Sequence, residues 1–459
     1  MTRNFLIIAI LLLPVCMPAT DARTPGLDRP MPEQWTYSET FGQSLPSQDR
    51  WWTSLDDAVL DSLISMGEDA NYNLAIACRR MDAASRQMAV ARAAYYPQIG
   101  LNAGYSRSHQ VRVSANHWEA GATVNWEIDL FGKITSQVRQ KKAQYRASRA
   151  DWVGAMVSMA AGIADTYVQL RVWEAELQVA REQTKAQDSI AQLVTARYES
   201  GLGAKPQVDQ AMALLYTTRA TIPTLVSSIS SAKSSLALLV GRYPAEIEPL
   251  LESGAGLPQY LQPVSAGIPS ELLRRRPDIV AAEQTLAAAA ASVGIAKKDF
   301  LPTLSLQGSV GVGAARPGDM FTRDGFTYSV APTLSWTLFD GMARSASVAA
   351  ARDEMEAQLA NYNYTVMNAY NEVENAMTSY VNYTRQITDY ESAVRSSTEF
   401  LDLELDLYTQ GLAPYSDVAT AQQNVLSNTN SLIMARGNAL GALISLYKAL
   451  GGGFSQYEE

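Results

Sequence analysis

Residues able to do metal, redox or nucleophilic chemistry are scarce in this chain, which has only two histidines and two cysteines in 459 residues. His109 and His117 share one short polar stretch, predicted as a loop between strands, where they are weak metal ligands. Cys78 sits among Ala75, Ile76 and Ala77 and reads as a small core residue, and Cys16 lies in the apolar N-terminus. Zinc or haem ligation needs several such ligands, and Ser–His or Cys–His catalysis needs a well-placed histidine. The pattern implies no metal, no cofactor and no enzyme. Carboxylates remain: Glu127 and Asp129, Asp209, and Asp417 just after Pro414, Tyr415 and Ser416. Like charges brought close together repel, raise one another's pKa and attract cations. A net charge of −9 and a pI near 5.0 offer no basic face for nucleic acid.

Residues 1–22 read as an export signal. Met1 to Asn4 form a short positive region, and Phe5 to Val15 an apolar one too short to span a bilayer. Leu13-Pro14-Val15-Cys16 has the outline of a lipoprotein signal, which would leave an acylated Cys16 as the first mature residue; cleavage after Ala22 is the alternative. No later run of 18 consecutive apolar residues predicts a transmembrane helix.

The elements that position the carboxylates are written twice. Tyr96-Pro97-Gln98-Ile99 resembles Leu301-Pro302-Thr303-Leu304, and Trp126 to Gly132 resembles Trp336 to Gly341. Tyr198-Glu199-Ser200-Gly201-Leu202 resembles Tyr408-Thr409-Gln410-Gly411-Leu412, and Leu238 to Gly241 resembles Lys448 to Gly451. The shared order marks a tandem duplication, with units at 23–240 and 277–459 and a Gly- and Pro-rich connecting segment at 241–276.

Each unit carries two alternating segments, at about 98–106 and 119–131, and at about 303–313 and 326–339. Ile99, Leu101, Ala103 and Tyr105 oppose Gln98, Gly100, Asn102 and Gly104, and the other three segments alternate likewise. Apolar on one side and small or polar on the other, these are the pattern of membrane-barrel strands, with a soluble sandwich as the alternative. On the polar side, Glu127 and Asp129 make the upper lumen acidic. Long helical runs at about 135–198 and 342–408 carry apolar residues at steps of three and four, the spacing of a coiled-coil seam. Shorter helices are predicted at 56–95, 206–240, 277–299 and 414–449, with a kink or interruption at Pro223.

Four strands leave two unpaired edges in lipid, where unsatisfied backbone groups cost several kcal/mol each. Copies must close the sheet: two give a filled eight-stranded barrel, three give twelve strands and an open lumen. The small polar inner residues favour the homotrimer. The fold expected is therefore mixed α/β, a duplicated protomer giving four strands of a trimeric outer-membrane barrel, continued by long coiled-coil helices as a periplasmic helical barrel.

With these features in place, the chain resembles the TolC-like outer-membrane efflux factors, the branch serving resistance–nodulation–division (RND) pumps. The residues are Trp51-Trp52, Leu55-Asp56-Asp57, Leu60-Asp61-Ser62-Leu63, Leu272 to Ile279 with its Arg-Arg-Pro-Asp core, and Ala449 to Gly453. The resemblance implies an exit channel for drugs, dyes, detergents or metal ions, docked on a periplasmic adaptor and driven by an inner-membrane transporter. A metal-ion channel and a type I protein-secretion channel are the alternatives; no cluster of Met, His or Cys supports the first, and the Arg-Arg-Pro-Asp motif disfavours the second. Gly201-Leu202 and Gly411-Leu412 should be helix–turn–helix tips, and the resemblance makes them adaptor-docking sites. It also implies a closed gate in the helix after the second tip. Ser416 and Thr420 stand where relatives can carry a leucine and an aspartate, so Asp417, beside Tyr415, is the substitute gate residue and Asp209 the other candidate. Arg274, Arg275 and Arg276 before Pro277 mark a helix start with a structural anchoring role.

Overall fold

The computed structural model describes residues 30–39, 41, 50–110, 113–253, 256–258, 260, 264, 267, 269–271 and 275–452. The signal segment, Cys16 and Arg274 lie outside the described residues.

The helices are α1 (Ala58–Ala70), α2 (Tyr72–Ala93), α3 (Lys133–Glu199), α4 (Lys205–Leu239), α5 (Pro244–Glu252), α6 (Pro277–Lys298), α7 (Ala343–Thr409) and α8 (Tyr415–Ala449). The strands are β1 (Gln98–Gln110), β2 (Val113–Ile128), β3 (Thr303–Ala314) and β4 (Phe326–Ser335). The duplication is visible in element lengths. Each half runs from a 22-residue helix through two strands into a 67-residue helix and then a 35-residue one. At 1.5 Å per residue, α3 and α7 are each about 100 Å long.

The strands form one antiparallel sheet in the order β1-β2-β3-β4. Its register sorts the side chains without exception along two central rows. Leu101 faces Ala122, Ala122 faces Val310, and Val310 faces Tyr328; two positions on, Ile99, Val124, Gly308 and Val330 form the next row. The alternate rows are small or polar: Asn102, Gly121, Gly311 and Thr327, then Gly100, Thr123, Ser309 and Ser329. Side-chain period two makes this agreement a property of the register, since a one-residue slip would mix the faces. The apolar face is bare: Leu101 is 88% exposed and Tyr328 76%. β1 and β4 each keep one unpaired edge.

Both strand pairs join the helices by the same device. Trp126 donates its indole N–H to the Tyr95 carbonyl (3.0 Å), and Trp336 does the same to Phe300 (2.9 Å). β2 ends at Ile128 and β4 at Ser335, short of the predicted 131 and 339, because the chain turns there to start the long helices. At the other end the β1–β2 hairpin is longer than expected, so His109 and His117 lie in strands rather than in a loop.

Helices α3 and α4 pack as one hairpin and α7 and α8 as another; α3 is also flanked by α2 and α6, and α6 by α7. By composition α6 is apolar enough to cross a bilayer, yet it lies between α3 and α7. The predicted helix at 56–95 is two, divided at Asn71. The Asn71 Oδ1 accepts from the Leu74 N–H (2.9 Å) and its Nδ2 donates to the Leu239 carbonyl (2.6 Å), capping α2 and tying it to the end of α4. Pro223 does not interrupt α4. The packed face, with Val208, Ala211, Leu215 and Leu236 buried, outweighs the roughly 3 kcal/mol that an internal proline costs. The connecting segment is not structureless, since it contains α5, started by Pro244 and by Glu246 accepting the Tyr243 N–H (2.7 Å).

At mid-length the N-terminal strap, α1 and α5 form a second layer over the long helices. Trp51 stacks on Tyr447 (5.1 Å), Trp35 stacks on Tyr370 (5.1 Å), and Leu60, Leu63, Ile163, Tyr167 and Leu443 fill the core between them. Arg276 anchors the start of α6 there. Its guanidinium reaches Asp278 (2.7 Å), Glu372 of α7 (2.6 Å) and the carbonyl of Ala449, the last residue of α8 (3.0 Å). The Arg-Pro-Asp motif is thus a three-helix fastening. Cys78 is half-buried on α2 rather than in the core.

Candidate functional site

At the end of the helices remote from the sheet, α3 turns into α4 and α7 into α8. Both turns close by the same hydrogen bonds. Gly201 N–H donates to Tyr198 O (3.0 Å) and Leu202 N–H to Arg197 O (2.8 Å); Gly411 N–H donates to Tyr408 O (3.0 Å) and Leu412 N–H to Leu407 O (2.9 Å). This double bond pattern needs a left-handed residue, and the glycines have φ of 76° and 78°. It leaves Leu202 and Leu412 pointing outward, each 71% exposed.

The two tips are packed together. Val194, Val208, Ala211, Leu215, Tyr408, Tyr415 and Val418 form a core separate from that at mid-length. Tyr415 is 1% exposed and meets Tyr408 edge-on at 5.7 Å. Burial, and then the neighbouring Tyr408, push its phenol up to about 12. Arg197, at the end of α3, crosses to the other hairpin: its Nη1 donates to the Thr409 carbonyl (2.9 Å) and its guanidinium lies 4.8 Å from the Tyr408 ring centroid. No sequence pattern singled out this clasp, although an arginine four residues before the tip glycine of the first repeat, where the second has Leu407, was there to see.

Of the carboxylates and hydroxyls expected at the gate, Ser416, Asp417 and Thr420 are exposed on the first turns of α8. Ser416 Oγ donates to Asp417 Oδ1 (3.0 Å), and Thr420 Oγ1 donates to the Ser416 carbonyl (2.8 Å). Asp209 is on α4, paired with Lys205 (2.8 Å), whose ammonium it holds above its usual range. Tyr415 is the exception: it is tip core and not a surface-lining group.

At the sheet, Glu127 lies on the polar face opposite Ser305. Asp129 does not share that face. It lies past the end of β2, where its carboxylate accepts the Ile134 and Thr135 N–H groups (2.9 Å each) and the Thr135 hydroxyl (2.6 Å), starting α3. Helix N-terminal N–H groups lack intrahelical partners, so an acidic cap satisfies them. The second acid of the polar face is Glu119, beside His117 (3.9 Å), which strand alternation past residue 119 would have revealed. His109 bonds Ser114 Oγ (2.9 Å). Among the described residues no group of three potential metal ligands occurs.

A sheet bare and apolar outside, polar inside and open at both edges, mounted on helices about 100 Å long, defines one wall segment of a membrane channel. The chain belongs to the outer membrane efflux protein family, whose model matches residues 63–242 and 268–452. It is similar to the toluene efflux pump outer membrane protein TtgC of Pseudomonas putida, 27% identical with 100% of this chain and 97% of TtgC covered. It is similar as well to the pyoverdine export outer membrane protein OpmQ of Pseudomonas aeruginosa, 27% identical with 98% and 96% covered. The solved outer-membrane channel OprN superposes with a TM-score of 0.87 at 29% identity, over 95% of this chain and 100% of that one. The protein is an outer-membrane exit channel of an efflux pump, with its sheet in the outer membrane and its helices extending into the periplasm.

Proposed function

We propose that three copies form the exit duct of a tripartite pump. Neighbouring β4 and β1 edges pair to close twelve strands, and the helical hairpins continue the barrel as a tunnel towards the inner membrane. The observation that carries this reading is the sheet: two consistent faces and two unpaired edges, a combination that lipid tolerates only after closure. The duct is passive. A periplasmic adaptor docks on Leu202 and Leu412 at the tips, and an RND transporter supplies the energy. The cargo is drugs and other small toxic molecules; the relatives are named for cargoes as different as toluene and pyoverdine.

The gate in this reading is the tip. Asp417, Ser416 and Thr420 share the exposed face of α8 that threefold symmetry would bring to the axis, with Asp209 behind them on α4. Tyr415 props α8 from within. Glu119 and Glu127 give the upper lumen its negative charge, and a lipid-modified Cys16 would add an anchor. Planar-bilayer recording of the purified channel tests this: the closed state should conduct little, and Asp417→Ala should raise conductance and weaken block by divalent cations. Unchanged opening and block would remove Asp417 from the gate.

A further inference from the structure

The membrane-proximal end of the helical wall carries more positive charge than its acids balance. From Lys133 to Ala150, α3 holds six cations and no acid, in a chain of net charge −9. Arg139, Lys142 and Arg146, at steps of three and four, form one exposed stripe. The acids at the very start of the two long helices are already engaged: Asp129 caps α3, Asp299 pairs with Lys133 (2.6 Å) and Asp340 with Arg344 (2.6 Å). Arg92, at the end of α2, and Lys297, at the end of α6, are also exposed at this level. The fold does not require the stripe, because the matching turns of α7 carry Arg352 among Asp353, Glu354 and Glu356.

The stripe has a definite side. α3 is flanked by α2 and α6, so its exposed faces look outward or into the lumen and not at a protomer edge. The same seam continues down α3 as Val153, Val157, Ala160, Ala164, Tyr167 and Arg171. There it is covered by the second layer: Tyr167 Oη donates to Asp57 (2.7 Å) and Arg171 Nη2 to the Leu251 carbonyl (2.9 Å). A layer that thick must lie outside a conduit whose lumen stays open, so the stripe also faces outward; this step rests on the trimeric duct proposed above.

We infer that Arg139, Lys142 and Arg146 form a docking surface for the anionic phospholipid headgroups of the periplasmic leaflet. The surface continues the lipid-facing side of the sheet. Exposed Leu130 and Phe131, with Leu338 and Phe339 in the other repeat, mark the border between them. Arg139 lies about 9 Å along α3, within side-chain reach of a headgroup layer about 5–8 Å deep. Arg146, about 20 Å along, acts on that layer through its field, which extends about 8 Å at physiological salt. Helical side chains lean towards the N-terminus, here towards the bilayer, and long basic side chains reach further. Each cation near an anionic surface adds to the attraction, and three protomers repeat the set.

The test is lipid selection by the full-length channel. Wild type in mild detergent is incubated with equal amounts of phosphatidylglycerol and phosphatidylethanolamine, repurified, and its bound lipid quantified by mass spectrometry. Phosphatidylglycerol should be enriched about fivefold or more, an enrichment lost in R139Q/K142Q/R146Q and at high salt. Lys141→Gln, on the opposite side of α3, should leave it intact. If the triple variant fails to assemble, Arg139→Gln alone should lower the enrichment. Equal selection by wild type and an assembled variant would overturn the inference. So would loss of binding to purified peptidoglycan with lipid selection unchanged. Mass measurement of each sample separates failure of the trimer from failure of the lipid surface.

Discussion

Arg197, the fourth residue before one tip glycine, reaches across to Tyr408 and Thr409 beside the other, 4.8 Å from the ring centroid and 2.9 Å from the carbonyl. One side chain therefore couples the two helical hairpins at the point where they are farthest from the sheet. A charged hydrogen bond contributes about 1.5–3 kcal/mol and an exposed cation–π contact about 0.5–1. Arg197→Ala should let the hairpins separate more readily, raising open probability in single-channel records by roughly tenfold or more. Arg197→Lys, which keeps the charge but not the planar fork, should restore only part of the closed behaviour.

The tip glycine and the tip leucine make separable predictions. Gly411 holds φ of 78°, so Gly411→Ala should cost about 1–2 kcal/mol and fray the turn, seen as faster amide exchange at the ends of α7 and α8. Leu412 is 71% exposed, and Leu412→Ser should leave the melting temperature unchanged while lowering adaptor affinity, measured by surface plasmon resonance. A loss of stability in Leu412→Ser would assign it to packing instead.

Arg276 is buried and bridges two half-exposed carboxylates and a carbonyl on three helices. Water can solvate both carboxylates once the guanidinium is gone, so the loss is that of its packing and its charged hydrogen bonds, each about 1.5–3 kcal/mol. Arg276→Ala should lower thermal stability sharply or block assembly, and Arg276→Lys should recover little, because lysine cannot bridge all three acceptors.

Asp165 lines a polar cavity of about 550 Å³ between α3, α7 and α8, together with Lys448, Glu372 and Asn438. Burial raises its carboxyl above the ordinary 3.8, and Lys448 pulls it partly back. The folded state thus holds this proton more tightly than the unfolded chain. Its contribution to stability is present below the ordinary carboxylate value and is lost as pH rises through the higher folded one. Asp165→Asn should therefore be more stable than wild type at neutral pH, with the difference fading as the pH approaches 4, as read from melting curves at several pH values.

Much of this architecture was legible because duplication and period two are one-dimensional signals. The alternation of Ile99 to Tyr105 fixed a face, and the paired glycines fixed the tips before any contact was known. What escaped depends on partners distant in sequence. Asp129 looks like a strand residue until the N–H groups of Ile134 and Thr135 claim it. Asn71 divides a helix because Leu239 lies within reach, and Pro223 is tolerated because α3 buries the helix that holds it. Tyr415 reads as a pore residue by position, yet Tyr408 packs it away from solvent. The Arg197 clasp joins residues 212 apart in sequence.

The most direct test of the whole account is the mass of the folded channel. Full-length protein extracted in mild detergent should run as a single species of about three times 49.9 kDa by light scattering corrected for detergent, and should conduct when placed in a planar bilayer. A homogeneous single-chain particle that keeps its helical signal and conducts equally well would contradict the account, since four strands with two open edges could then form a pore alone.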